Sequence, residues 1–430
     1  MFDSSYLNWD SLPDYHNDYA WDILQEPPKY NIICDANSLY DAMLVSRKDT
    51  AWKPSVQKFC WNYLSNISDL QRKLVNLEHG IEKNAFTPGN GNNFFVRERG
   101  KVRAITGQTF ADRVVSHSLN DNALIPAVRK YLIYDNTASL KNRGVDMARS
   151  RLRVHLKRAY QQYGTNSFYI ELRDYSKYYD NIQTPIAYKM ICEHTSDVLA
   201  RRLARLMLLN HRVDVSYMSD EEYANCMNVK FDRVAYRLEN HPQLGKRYMY
   251  KSLHIGDQTS QTVGILYAYQ IDNLAKIVYG VKGYARYNDD SYLIGNDKNE
   301  ISMVSDALNK ASVDVGLFVN LRKTHISRAD KGFVYLQHHI SLSKNGVIKE
   351  RIKSVAYIRM RRRLKKLKKK AEEGKVPIED IVNMYRSWIC SKREFISYRQ
   401  LHSLELLMLE LYGRKVYDQI YDHDGRWHCT

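Results

Sequence analysis

Apolar residues recur at helical spacing through the first part of the chain. Tyr63, Ile67, Leu70, Leu74 and Leu77 fall at i, i+4, i+7, i+11 and i+14, which predicts an amphipathic helix within a largely helical stretch from 31 to 86. TPGNGNN (87–93) then breaks the period as a turn. FFVRERGKVRAIT (94–106) places β-formers on both sides of Arg99-Gly100, the outline of a hairpin. Helices are expected over 111–130, 145–163, 184–212 and 300–316. FYIEL (168–172) and GFVYLQHHISL (332–342) each read as one strand, and GYARYNDDSYLIG (283–295) as a hairpin with Asn288, Asp289 and Asp290 at its tip. From 213 to 250 the chain is polar and tyrosine-rich, and its pattern assigns no element. After the Asn345-Gly346 turn the remainder reads as helical, broken at 374–377. Together these elements predict an α+β fold with helices on one face of an antiparallel sheet.

Composition narrows the class. The 430 residues are 44% hydrophobic and 26% charged, a globular balance for two or three packed domains. Mean hydropathy is −0.54, and no apolar run approaches the ~20 residues of a bilayer span. The first residues lack the basic and apolar regions of a signal peptide, so a cytoplasmic protein with no membrane partner is expected. Six cysteines without C-x-x-C spacing argue against a zinc knuckle or a disulfide framework, and read as reduced thiols in core positions.

Charge changes the picture further. Sixty-five basic residues against 48 acidic ones give +17, which favours a polyanionic partner. Residues 1–29 hold six acids and one Lys, an acidic arm, whereas 346–370 hold twelve basic residues and one acid. Within the latter, RMRRRLKKLKKKAEE (359–373) puts Met360, Leu364, Leu367 and Ala371 on one helical face and crowds cations on the other. A solvated or membrane-lying face is the alternative; binding to a duplex or structured RNA is favoured here.

The chemistry centres on acids at strand ends. Asp289 and Asp290, with Tyr287 before them, form Y-x-D-D at a turn, and Asp174 ends the strand 168–172. Carboxylates brought together from neighbouring strand ends repel unless a cation sits between them. Oxygen-only ligation favours two Mg²⁺ ions, with Mn²⁺ the other choice, in an arrangement able to bind the attacking and leaving oxygens of a phosphoryl transfer.

Across roughly 94–345 the chain resembles the non-retroviral reverse transcriptases of bacteria. GKVRAI with FADRVVSHSL is similar to the fingers block, YDNTASLKNRG to the next block, DYSKYYDNI to motif A and HIGDQTSQTVGILYAYQID to motif B. YNDD is similar to motif C, GLFVNLRKT to motif D and GFVYLQHHI to the primer-grip motif E. The resemblance implies a right-hand polymerase. Residues 1–90 would be an N-terminal arm and helical extension and 91–167 the fingers. Residues 168–345 would be the palm, with an insertion near 183–255, and 346–430 a basic helical thumb.

Roles follow by resemblance. Asp174, Asp289 and Asp290 would hold the metals, with Tyr175 beside them. Lys101 and Arg103 would clamp the dNTP triphosphate, with Tyr175, Gly256 and Gln258 lining the nucleotide site. Tyr179 would be the steric gate against a ribose 2′-OH, or else an ordinary core tyrosine. Lys323 would protonate the leaving pyrophosphate. Phe333 and Leu336 would grip the primer. Lys141, Arg143, Arg361, Arg362, Lys365, Lys366 and Lys369 would contact nucleic acid. Motif B departs from the common Pro-Gln-Gly, with His254-Ile255-Gly256 and I-G-x-x-T-S-Q. That form is similar to diversity-generating retroelement enzymes and defence-associated relatives. Motif E departs too, with Gln337-His338 where Gly-Tyr is usual.

The expected activity is RNA-directed DNA synthesis from a cognate structured non-coding RNA in antiphage defence, with a DNA or RNA primer, a cDNA product and room for an accessory protein. The other readings are an error-prone retroelement enzyme, a template-independent or protein-primed polymerase, and a non-catalytic RNA-binding scaffold.

Overall fold

The computed structural model describes residues 30–421 apart from Arg99; the acidic arm at 1–29 and Cys429 lie outside the described residues. The chain divides into two compact units, one formed by residues up to Leu152 and Glu171–His325, the other by Arg153–Ile170 and Ile326 onward.

In the first unit, helices start where a side chain can satisfy their free amides. Asp35 accepts from the Asn37 and Ser38 amides to open α1 (Ala36–Arg47), and a proline opens α2 (Pro54–Trp61). α3 (Tyr63–Glu78) buries Ile67, Leu70 and Leu74, the stripe expected from its spacing. β1 (Asn92–Glu98) and β2 (Lys101–Gly107) pair antiparallel, with Glu98 opposite Lys101. Thr109 caps α4 (Phe110–Leu119), which runs through a π-helical turn at 120–124 into α5 (Ile125–Arg129). α6 (Val145–Tyr163), which from Arg153 on belongs to the second unit as do the first two residues of β3, leads to β3 (Tyr169–Asp174), then come α7 (Tyr178–Asn181), α8 (Thr184–His194) and α9 (Val198–Leu209).

The segment that sequence pattern left unassigned holds β4 (Val213–Asp214), α10 (Asp220–Asn225), α11 (Arg233–Glu239) and β5 (Tyr248–Met249). Val213, Val215, Cys226 and Met249 form its small core. α12 (Gln258–Tyr267) and α13 (Tyr269–Asn273) follow. β6 (Gly283–Tyr287) and β7 (Asp290–Gly295) make the expected acidic hairpin, and α14 (Lys298–Asp314) precedes β8 (His325–Arg328). A four-stranded sheet has the order β6-β7-β3-β8.

The second unit corrects two expectations. Residues 332–342 form two strands, β9 (Phe333–Tyr335) and β10 (His338–Leu342), because Leu336 and Gln337 both take positive φ, 43° and 71°, and reverse the chain. The stretch after Gly346 opens on a strand, β11 (Ile348–Ile352), antiparallel to β10, rather than on a helix. Helices follow as α15 (Ser354–Glu372), α16 (Ile378–Cys390), α17 (Tyr398–Tyr412) and α18 (Arg414–Tyr417), with the break at 374–377 where expected. Met360 and Leu364 of α15 pack with Ile381, Tyr385, Leu404 and Met408 in a core of this unit's own. Among the described residues no helix is long and apolar enough to cross a membrane.

Candidate active site

A strand end and a two-residue turn bring the acids together. Asp174 is the last residue of β3, and β7 is its neighbour in the sheet. The β6–β7 turn is Asn288-Asp289, with Tyr287 opposite Asp290; Asn288 takes φ 53°, which a short polar side chain tolerates. The Tyr175 amide donates to the Asp289 carbonyl at 3.3 Å, so the backbone after Asp174 abuts the turn itself.

Asp174 is also held from the loop before β8. Lys323 Nζ donates to its Oδ1 at 2.5 Å and Asn320 Nδ2 to its Oδ2 at 3.1 Å. Burial pushes the Asp289 carboxyl above its usual range, and the charge of Asp174 adds to this. Asp290 is pushed up to about 7 by burial, then by Asp289 and Asp174. Lys323 eases both, helped by Arg103 at Asp289 and by Lys101 at Asp290. The hairpin cations thus act electrostatically on the acids, although Lys101 and Arg103 are themselves exposed and Arg103 lies 3.6 Å from Glu98.

Among the described residues, no three or more His, Cys, Asp or Glu side chains are gathered into a cage for a metal ion. Repelling carboxylates at one end of a sheet, with oxygen donors only, nevertheless suit a hard divalent cation that completes its shell with water and phosphate oxygens. Asp174 and Asp289 would hold it, with Asp290 beside them. Tyr175 offers only its backbone, because its phenol is buried against Ser312 Oγ at 3.0 Å and its ring stacks on Tyr178.

Tyr179 is half-buried beside these acids. Its hydroxyl is pushed up to about 12 by burial and by the charge of Asp289. Its ring lies edge-on to Tyr178 and directly on Gly264 of α12. Gly256, at φ 101°, and Gln258 flank Asp257, the buried cap of α12, which accepts from the Thr259 amide and pairs with His211 Nε2 at 3.0 Å.

Pattern reading missed Arg286. It is fully buried and forks onto Asp272 with three hydrogen bonds of 2.8–3.0 Å. The same guanidinium donates to the carbonyls of Gly264, Ile265 and Asn288. Asp272 overcomes the burial that opposes this charge and keeps the arginine protonated. One side chain therefore ties the acidic turn to α12. A charged residue in a strand buried on both faces was the available signal, since such a charge requires a partner.

Arg237 was also missed. From α11 it donates to the Ile105 carbonyl at 2.8 Å, to Asn93 Oδ1 at 2.7 Å and to Thr106 Oγ1, gripping the base of the β1–β2 hairpin. The 213–249 segment also meets α7: Asn181 exchanges two hydrogen bonds with the backbone of Phe231, and Lys177 pairs with Asp232 at 3.1 Å.

Of the residues expected to meet nucleic acid in this unit, Lys141 is exposed, while Arg143 is turned inward onto the carbonyls of Tyr134 and Asn136. In the second unit Phe333 is buried in the core and Leu336 is a half-buried turn residue. Arg362, Lys365, Lys366 and Lys369 are exposed on α15. Arg361 instead donates to Ser403 Oγ at 2.5 Å and to the Tyr357 hydroxyl, as a tether between helices.

No protein-family profile and no curated protein matches the chain. Among solved structures, apo telomerase from Candida tropicalis is similar over 68% of this chain and 53% of that one, at 14% identity and a TM-score of 0.41. Telomerase from Candida albicans, in complex with a fragment of telomeric RNA, is similar over 77% and 59%, at 10% identity and a TM-score of 0.40. The chain spans between half and three-fifths of those two structures, and likeness at this level assigns no residue a role.

Proposed function

We propose that the chain is an RNA-directed DNA polymerase of the reverse-transcriptase kind. The observation that carries this reading is the meeting of Asp174 with the Asp289-Asp290 turn at neighbouring strand ends, under the influence of Lys101, Arg103 and Lys323. Mg²⁺ or Mn²⁺, when bound, supplies positive charge to the attacking and leaving oxygens of phosphoryl transfer. The carboxylates hold that charge in place. Lys101 and Arg103 bind the triphosphate by charge-assisted hydrogen bonds. Lys323, whose Nζ donates to Asp174, stands within reach of the site as the donor to the leaving pyrophosphate. Tyr179 excludes a 2′-hydroxyl. A non-catalytic scaffold would gain nothing from burying repelling carboxylates.

The direct test is extension of a DNA primer on an RNA template with dNTPs and Mg²⁺, wild type beside Asp174→Asn. Incorporation by the wild type alone supports the reading, and none by either removes it. We place the activity in antiphage defence, on the long region ahead of the fingers block and the divergent motifs B and E, with a structured non-coding RNA as template. Sequencing the nucleic acid that co-purifies from the native locus decides this. One enriched RNA with matching cDNA supports it, a template repeat with scattered errors points to a retroelement, and DNA matching no RNA points to untemplated synthesis.

Two further outcomes are expected. Tyr179→Val should raise ribonucleotide relative to deoxyribonucleotide incorporation by about tenfold or more, since only a steric wall is removed; an unchanged ratio would make Tyr179 a packing residue. Replacing Arg362, Lys365, Lys366 and Lys369 with Gln should weaken RNA binding. It should also flatten the slope of log affinity against log salt by about 0.7–0.9 for each phosphate that is no longer neutralised. An unaltered slope, read by filter binding across a salt series, would move the RNA surface off α15.

A further inference from the structure

Gly264 lies inside α12, buried, with no positive φ to require a glycine. Alanine is favoured over glycine in a helix interior, so helix formation does not account for the residue either. What accounts for it is Tyr179. A Cβ built on Gly264 would stand 2.9 Å from the Tyr179 hydroxyl oxygen and 3.1 Å from both Cε1 and Cζ, inside van der Waals contact.

The ring has little freedom to give way. The Leu253 amide donates to the Tyr179 carbonyl at 2.8 Å, fixing the backbone. Tyr178 closes one flank edge-on, with ring centroids 5.6 Å apart. Tyr178 is itself pinned, because its hydroxyl donates to the Gly264 carbonyl at 2.7 Å. Arg286 donates to the same carbonyl at 3.3 Å and holds that turn of α12. Two sides of the ring are thereby closed, and its hydroxyl is near enough to the acidic turn to feel the charge of Asp289.

We propose that Gly264 is a positioning residue that sets how far the Tyr179 ring projects into the nucleotide site, and so how the sugar of the incoming nucleotide is accommodated. This rests on the polymerase reading above. A methyl group at 264 drives the ring off the helix and narrows the space for the sugar.

The test uses the full chain with poly(rA)·oligo(dT), dTTP and Mg²⁺. Gly264→Ala should raise KM for dTTP about tenfold while changing kcat by less than about threefold. In the Tyr179→Val background, where the ring is gone, the same substitution should leave KM unchanged. Gly264→Ala should still melt in one cooperative transition, shifted down only by the crowding of one methyl group, which separates the effect from misfolding. An unchanged KM, or an equal rise in the Tyr179→Val background, would overturn the assignment while leaving the polymerase reading intact. No dTTP incorporation by the wild type, here or on its co-purified RNA, would overturn both.

Discussion

Asp289→Asn should abolish nucleotide incorporation, by about 10³-fold or more in kcat, without lowering the thermal stability of the chain. The two halves of this result have one cause. Asp289 is half-buried and repelled by Asp174, which is why its carboxyl resists ionisation in the folded protein. An amide of the same shape removes that repulsion, so the melting temperature should be unchanged or raised. It also removes an anionic oxygen donor, so a divalent cation loses part of its hold. Single-nucleotide incorporation beside a melting curve gives both numbers. Activity within about tenfold of the wild type would mean that Asp289 is not a metal ligand.

Arg286→Met should be the most destabilising single change in the first unit, at about 3–5 kcal/mol, because Asp272 would be left fully buried without its cation. Tyr284 also donates to Asp272 at 2.7 Å, but a neutral hydroxyl does not balance a charge. Adding Asp272→Leu should restore much of the stability, since an apolar pair of similar size needs no solvation. Incorporation should stay low in the double variant. The carbonyls of Gly264, Ile265 and Asn288 would still lack the donor that ties the acidic turn to α12. Urea unfolding of both variants checks the first claim and primer extension the second. Equal stability of the single and double variants would refute the account of the pair.

The parts of the fold that were legible in the sequence are those with a local cause. The 283–295 hairpin is marked by Asn and Asp between β-formers, and α3 by its apolar stripe. The β9–β10 turn carries no such mark, since Leu and Gln are not residues that announce positive φ. β11 is hidden in a basic run: Lys349 and Arg351 face out, while the inward Glu350 breaks the apolar alternation. Glu350 is accepted in the interior because His338 and Arg153 meet it, the latter 197 positions away. At the site, Asp174 and Asp289 stand out because paired acids at strand ends need an explanation. Arg286, Arg237 and Gly264 do not, because each owes its place to a partner that only the fold supplies.

The β1–β2 hairpin is, mechanically, a cantilever. Arg237 clamps it at Asn93, Ile105 and Thr106, while every residue of β1 and the first three of β2 are exposed. Lys101 and Arg103 ride on the unclamped length. On the polymerase reading, their approach to a triphosphate would be set by the elastic bending of a two-stranded ribbon. Its stiffness, and with it the spread of positions those two cations sample, is a property of the seven residue pairs between Asn92 and Gly107.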